Sequence, residues 1–325
     1  MRRRRRRIPR MRALLPAVVV IALAVVLTLV LTGGASDTAV PPRATVNGPP
    51  ALKHRASQLK PSKNAPPPGI QLFGNKPLHV HFKQPPRAGL VFDVKTGQVL
   101  WARNPMKVLP IASLTKIMTA ILVVEGTQPR DRARVTKEAL HYTGSGVGVL
   151  PKHKLVPVEG LLAGMLMPSG NDAALALADH MAGTDRRFVR VMNRRAKAMS
   201  LGCTHYASAD GIETANRSCA ADLAALARVA ISKPRIARIV KHRQLVVRFP
   251  IKSGHLWLYS TNPLLQMRYP GTIGLKTGST DHAGHCLVAI VKRGKRTFGV
   301  VLLHSPDTGS QAKKLFDRAF RLRGV

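Results

Sequence analysis

Three short motifs in a fixed order constrain this 325-residue chain more than any other feature: Ser113-Leu-Thr-Lys116, Ser169-Gly-Asn171 and Lys276-Thr277-Gly278. A serine hydroxyl is a weak nucleophile until a base lies within hydrogen-bond reach, and three residues of helix place Lys116 one turn from Ser113 on the same face. A lysine is a base only when neutral. Its pKa must therefore fall from about 10.4 to about 7, a cost of roughly 4 to 5 kcal/mol that burial and a neighbouring cation would impose. Lys276 is the candidate neighbour. Taken singly, each residue has a plain structural role: Ser113 as a helix cap, Lys116 as a solvated side chain, Ser169 as a turn residue. The joint, ordered occurrence is what points to serine acyl transfer.

The residues around the motifs carry a resemblance to a known family. Leu109-Pro-Ile-Ala-Ser-Leu-Thr-Lys-Ile-Met-Thr-Ala120, Met167-Pro-Ser-Gly-Asn-Asp-Ala-Ala174 and Tyr269-Pro-Gly-Thr-Ile-Gly-Leu-Lys-Thr-Gly278 resemble the serine D-alanyl-D-alanine carboxypeptidases, the low-molecular-mass penicillin-binding proteins. The likeness continues through Ala283-Gly-His-Cys-Leu287 and runs from Ala88 onward. It implies a mixed α/β, serine β-lactamase/transpeptidase-like fold: an antiparallel sheet with helical clusters. It also implies a peptidoglycan pentapeptide substrate, β-lactams as covalent inhibitors, and no cofactor or metal.

Roles follow from the same resemblance. Ser113 attacks the carbonyl between the two terminal D-alanines, Lys116 takes its proton, Ser169 relays it to the departing D-alanine, and Asn171 binds the amide of the acylated peptide. Backbone N–H groups of Ser113 and Ser279 form the oxyanion hole. Lys276 and Thr277 address the terminal carboxylate, and Gly278 lets the substrate backbone come close. One departure weakens carboxylate recognition: Ser310 falls where many members carry an arginine. Members also often have a C-terminal β-rich domain and an amphipathic membrane helix, which an N-terminal anchor would replace here.

The N-terminal region has a different character. Residues 2–7, 10 and 12 are arginines, no acid precedes Asp37, and residues 13–31 contain no charge. At about 1.5 Å per residue this apolar run reaches roughly 28 Å, close to the hydrocarbon thickness of a bilayer. The expectation is a basic cytoplasmic tail at 1–12 and a transmembrane anchor or signal segment at 13–33, with the rest outside by the positive-inside rule. Gly33-Gly-Ala35 could serve as a cleavage site, so an uncleaved anchor and a cleaved leader both stand, and either exports the domain. Residues 34–86 read as a Pro-rich, disordered linker with Pro66-Pro67-Pro68 and Pro85-Pro86. Residues 87–325 make up the catalytic domain.

Removing the eight N-terminal arginines from the net charge of +37 leaves +29. The export segment, the 4% aromatic content and the lack of any nucleic-acid motif argue against nucleic acid as the partner. Anionic wall polymers fit this charge. So does simple solvation of outer helix faces by Arg186, Arg187, Arg190, Arg194, Arg195 and Lys197.

Periodicity places the motifs. Residues 90–94 and 98–101 read as strands joined by Lys95-Thr96-Gly97, a second Lys-Thr-Gly whose hairpin position has no reason to line the same cleft. A helix is expected from Ser113, then helices at 157–167, 171–179, 185–201 and 219–231. Strands are expected at 244–249, 256–260, 273–277, 286–292 and 298–304, and a last helix at 311–322. Strands at both ends with helices between imply a sheet drawn from distant sequence. Cys203 and Cys219 fit a disulfide or two buried thiols, and Cys286 fits a core position. His79 with His81, and Asp281 with His282 and His285, have ligand-like spacing but are read as lacking a metal.

Three other functions share these features. A β-lactamase would need a carboxylate aimed at the deacylating water, and between the second and third motifs only Glu213 stands out, outside any motif. A non-catalytic wall-binding protein would not need the Ser/Lys/Ser/Lys set. A D,D-endopeptidase of the same fold is indistinguishable at this level.

Overall fold

The structure, a computed structural model, describes residues 69–72, 74 and 76–324. The expected basic tail, the anchor or signal segment and the first part of the linker lie outside these residues.

Five strands form one antiparallel sheet. They are β1 (Ala88–Asp93), β2 (Val99–Arg103), β5 (Thr272–Thr280), β6 (Gly284–Arg293) and β7 (Arg296–Ser305), in the order β2-β1-β7-β6-β5. Two more strands, β3 (Gln244–Arg248) and β4 (His255–Tyr259), pair only with each other as a hairpin. The sequence therefore predicts the strands of the last third, but their division into two sheets emerges only in three dimensions.

Both faces of the main sheet are covered, which is why its strands read as near-continuous apolar runs rather than as alternating ones. Leu90, Phe92, Val288, Ile290, Val301 and Leu303 enter the larger core against the helical cluster. Val91, Leu287, Ala289, Val300 and Leu302 enter a second core against Leu315, Phe316 and Phe320 of the terminal helix. Burying a side chain of this size stabilises by about 1.5–3 kcal/mol, so the two cores set the stability of the domain. Gly299 pairs with Phe92 across β1 and β7. A Cβ there would overlap the Phe92 ring, so Gly299→Ala would disrupt the sheet centre.

The longer helices are α1 (Lys116–Gly126), α2 (Val158–Leu166), α3 (Asn171–Ala182), α4 (Asp185–Ala198), α5 (Ala220–Ile231), α6 (Pro234–Val240) and α7 (Thr308–Leu322). Local chemistry sets their ends. Gly183, at φ 80, closes α3 in the left-handed conformation. Thr184 Oγ1 accepts from Arg187 N at the start of α4, and Asp307 accepts from Ser310 N at the start of α7. On α4, Phe188 and Met192 are buried while Arg186, Arg187, Arg190, Arg194 and Lys197 are exposed. Those arginines are the outer face of an amphipathic helix. The sequence pattern does not reveal α6, which begins with Pro234 at its first position.

The folded unit begins before the expected boundary at residue 86. Ile70 and Leu72 pack on the larger core, and Leu78, Val80 and Phe82 join the second one, with Leu78 N donating to Leu100 O at 3.0 Å. Isolated apolar residues among prolines show no period, yet each finds a place on the sheet. No helix among the described residues is long and apolar enough to cross a membrane.

Candidate active site

Ser113 lies in a single 3-10 turn, Ala112–Thr115, and Lys116 is the first residue of α1. The regular helix thus starts three residues later than its apolar pattern suggests. Ala112 takes a positive φ of 47 just before, which turns the chain and keeps Ser113 out of the regular helix.

Lys116 is buried, and its Nζ lies 2.8 Å from Ser113 Oγ, 2.6 Å from Asn171 Oδ1 and 2.6 Å from the Asp210 carbonyl oxygen. A neutral amine has two N–H donors and one lone pair. As an ammonium, Nζ donates to all three oxygens; once neutral, it keeps its two protons on Asn171 and Asp210 and turns its lone pair to the Ser113 hydroxyl. Burial lowers the Lys116 pKa from 10.5 to about 7, while the carboxylates of Asp210 and Asp172 pull the other way. A base for Ser113 needs such a value, and Lys276 is not among the groups that set it. Burial is the main cause.

Asn171 is held tightly. Its Nδ2 donates to Thr143 O at 2.5 Å, and its backbone N donates to Ser145 O at 2.7 Å. Next to it, Asp172 accepts from Val147 N at 2.8 Å and Gly148 N at 2.9 Å. The loop 143–148 is therefore bound to the N-terminus of α3. Ser169 lies on the turn between α2 and α3 with φ 68. It shares with Ser113, Thr277, Gly278 and Ser279 a cleft of about 300 Å³. The three motifs thus meet around one space. Ser145, Thr261, His285 and Thr308 also line it, and sequence motifs did not identify them as site residues.

Gly278 also has a reason within the fold itself. A Cβ on it would lie 2.9 Å from Ile111 O, 3.0 Å from Ser113 N and 3.1 Å from Leu114 N. The close approach is between β5 and the nucleophile turn of the same chain. It brings Ser113 and Ser279, the two expected oxyanion donors, to one wall of the cleft.

Lys276 is 1% exposed, and its Nζ donates to Thr277 O at 2.8 Å. Burial, and then the charge on Lys116, hold its pKa well below the ordinary value. Thr277 Oγ1 is 2.5 Å from Thr261 Oγ1. No lysine or arginine lines the cleft among the described residues. Ser310 N is engaged with Asp307, and Thr308 is the α7 residue that reaches the cleft. The cations Lys313 and Arg293 are engaged elsewhere. Lys313 pairs with Asp317 at 2.7 Å, and Arg293 lies over the rings of Tyr269 and Phe320.

The loop that presents Asp210 has no motif and was missed. Cys203 and Cys219 form a disulfide across it, which selects between the two readings of these residues. Their sulfurs, with Asp222, form the ligand-like group that converges among the described residues, but they are bonded to each other. Inside the loop, Ser208 Oγ donates to Asp210 Oδ1 at 2.7 Å, and Asn216 Nδ2 donates to Ser208 Oγ at 3.0 Å. Thr119 Oγ1 of α1 donates to Ala209 O at 2.7 Å, and Ala209 N donates to Asp185 Oδ1 at 2.9 Å. Burial raises the Asp185 pKa to about 6. Every one of these bonds fixes the carbonyl that holds Lys116. His285 Nδ1 is 3.1 Å from Ser279 Oγ, which ties it to the cleft edge. Cys286 is buried on β6, as expected of a core residue.

Fold and site together define a serine acyl-transfer protein of the β-lactamase/transpeptidase fold. The D-alanyl-D-alanine carboxypeptidase family matches residues 83–306, and the chain belongs to that family. It is 32% identical over 243 residues to the D-alanyl-D-alanine carboxypeptidase DacF of Bacillus subtilis, a match that covers 72% of this chain and 62% of the relative. A D-alanyl-D-alanine endopeptidase of Pseudomonas aeruginosa is 32% identical over 234 residues, covering 67% and 75% respectively. The crystal structure of a Streptomyces DD-transpeptidase superposes with a TM-score of 0.69 at 30% identity, over 75% of this chain and all of that one.

Proposed function

We propose that the protein is a serine D-alanyl-D-alanine carboxypeptidase acting on peptidoglycan stem peptides. The observation that carries this is the buried lysine at the nucleophile: Lys116 Nζ is 2.8 Å from Ser113 Oγ, with Asn171 Oδ1 and the Asp210 carbonyl oxygen accepting its other two bonds. Ser113 Oγ bonds to the carbonyl carbon of the penultimate D-alanine as its proton passes to Lys116. The C–N bond then breaks as the proton taken up by Lys116 passes, with Ser169 as relay, to the departing amine. Water attacks the resulting ester, Lys116 takes the water proton, and the ester oxygen returns to Ser113 as a hydroxyl.

A D-Ala-D-Ala pentapeptide incubated with the protein should yield free D-alanine and a tetrapeptide. Ser113→Ala should abolish both this and the covalent mass gain with penicillin. An adduct on another residue would overturn the assignment. Since one relative is named an endopeptidase, cross-linked dimeric peptides belong in the same assay, and their cleavage in preference to the pentapeptide would select that reading. No carboxylate lines the cleft among the described residues, which disfavours a β-lactamase.

The arginine-rich start and the uncharged run at 13–31 support an N-terminal membrane anchor with the domain outside. Protease added to intact spheroplasts should release the domain by cutting in the Pro-rich segment. A domain protected until lysis would reverse the topology.

A further inference from the structure

The hairpin β3–β4 has one face in the core and one in solvent. Leu245, Val247, Leu256 and Leu258 join the larger core. On the opposite face Trp257 is 64% exposed, Tyr259 57% and Val246 41%. Val246 pairs with Trp257, Gln244 with Tyr259 and Arg248 with His255, so these side chains form one continuous surface. Such exposure is costly in a chain that contains two tryptophans and four tyrosines. The other tryptophan, Trp101, is 8% exposed and sits in the second core.

The hairpin ends beside the cleft. Two residues beyond Tyr259, Thr261 lines the cleft, and its N donates to Met167 O at 3.1 Å beside the Ser169 turn. From this juxtaposition we infer that the outer face of the hairpin is a docking platform for the sugar backbone of the polymer whose stem peptide enters the cleft. The inference rests on the proposed carboxypeptidase reading.

The chemistry of the face selects a sugar polymer. An aromatic ring presents a partly negative π face, which complements the C–H side of a pyranose ring while the sugar hydroxyls stay in water. Residues i and i+2 of a strand are about 6.8 Å apart, so Trp257 and Tyr259 together make a strip longer than one ring. Arg248 and His255 at the far end of the hairpin suit the carboxylates carried by stem peptides. A bilayer asks for a broader apolar surface, and here Gln244 and Arg248 bracket Val246 on the same face.

The test uses the full-length protein and the double variant W257A/Y259A. Two measurements are made: pelleting with insoluble peptidoglycan at high salt, where the basic surface contributes least, and turnover of polymeric peptidoglycan beside a soluble pentapeptide. The expected result is about tenfold weaker pelleting and polymer turnover, with soluble turnover within about twofold of the parent. W257F/Y259F should recover most of the loss, because the rings remain. Unchanged pelleting and polymer turnover in W257A/Y259A would overturn the platform. So would a variant that keeps both but loses binding to phosphatidylglycerol vesicles, since that assigns the face to a bilayer. Pelleting reads the platform without catalysis, so absence of soluble turnover in the parent would sink the carboxypeptidase reading separately.

Discussion

The chain contains Lys-Thr-Gly twice, and the two copies have opposite fates. Lys95-Thr96-Gly97 is the tip of the β1–β2 hairpin, where Asp93 Oδ1 accepts from the backbone N of Lys95 and Thr96 at 2.9 Å each. Lys95 is exposed. Lys276-Thr277-Gly278 lies in mid-strand on β5, at the opposite edge of the sheet, with Lys276 buried beside Lys116. One tripeptide is a turn; the other is a wall of the site. A motif therefore acquires chemistry from what packs against it. Here that is the nucleophile turn, which β5 reaches because Gly278 has no Cβ.

The largest expected difference concerns the lysines. Lys276→Ala should slow acylation by roughly a hundredfold or more, about 3 kcal/mol, whereas Lys95→Ala should leave it unchanged within error. Because Lys276 Nζ is engaged with Thr277 O, the loss should be equal on a substrate whose terminal carboxylate is amidated. A loss that shrinks on the amidated substrate would put Lys276 on the carboxylate instead.

The glycines sharpen the contrast. Gly278→Ala should cut acylation by roughly tenfold to a hundredfold, since its Cβ meets backbone atoms of the Ser113 turn that cannot yield without moving the nucleophile. Gly97→Ala is also strained, at φ 78 and against the Gly69 carbonyl, but it should lower only the melting temperature, by the equivalent of about 1–3 kcal/mol. Equal kinetic losses in the two variants would erase the distinction between turn and wall.

A smaller effect lies in the pH profile. With Lys116 near 7, the acylation rate should fall about tenfold per unit below that pH, as the amine protonates and loses its lone pair. Asp210→Asn removes a charge that holds the proton on, so the midpoint should move to lower pH. The folded pKa of Lys116 is below its unfolded value. Its contribution therefore disfavours folding increasingly as pH falls from 10.5 to 7 and is constant below, and stability should rise through that window on titration to higher pH. A midpoint in Asp210→Asn equal to the parent's would remove Asp210 from the electrostatics of the base. Little kinetic effect is expected from C203S/C219S. Loss of the cross-link should cost about 3 kcal/mol of stability, while the hydrogen bonds of Ser208, Asp185 and Thr119 keep Asp210 near Lys116. A collapse of acylation at full folding would make the disulfide itself the positioning element.

Much of the site was legible because its chemistry needs particular residue types at short spacing. Ser113 with Lys116 and Ser169 with Asn171 are local pairs, and a local pair leaves a trace in sequence. The amphipathic helices and apolar strands were legible for a related reason, since their periods follow from the burial of one helical face or both sheet faces. The packing of Ile70, Leu78 and Phe82 was not, because scattered apolar residues among prolines have no period. Neither was the Asp210 carbonyl, which any residue could supply in principle and which is 94 positions from Lys116.

The sequence by itself determined which groups react: a serine, a lysine that must be neutral, and the class of fold able to gather them. Tertiary structure decided why the lysine is neutral, that Cys203 and Cys219 are joined, and which carbonyl leaves the lone pair facing Ser113. Reactivity depends on residue identity, which the sequence spells out. Desolvation and hydrogen-bond direction depend on the atoms that surround a group, and those come from distant parts of the chain only once it has folded.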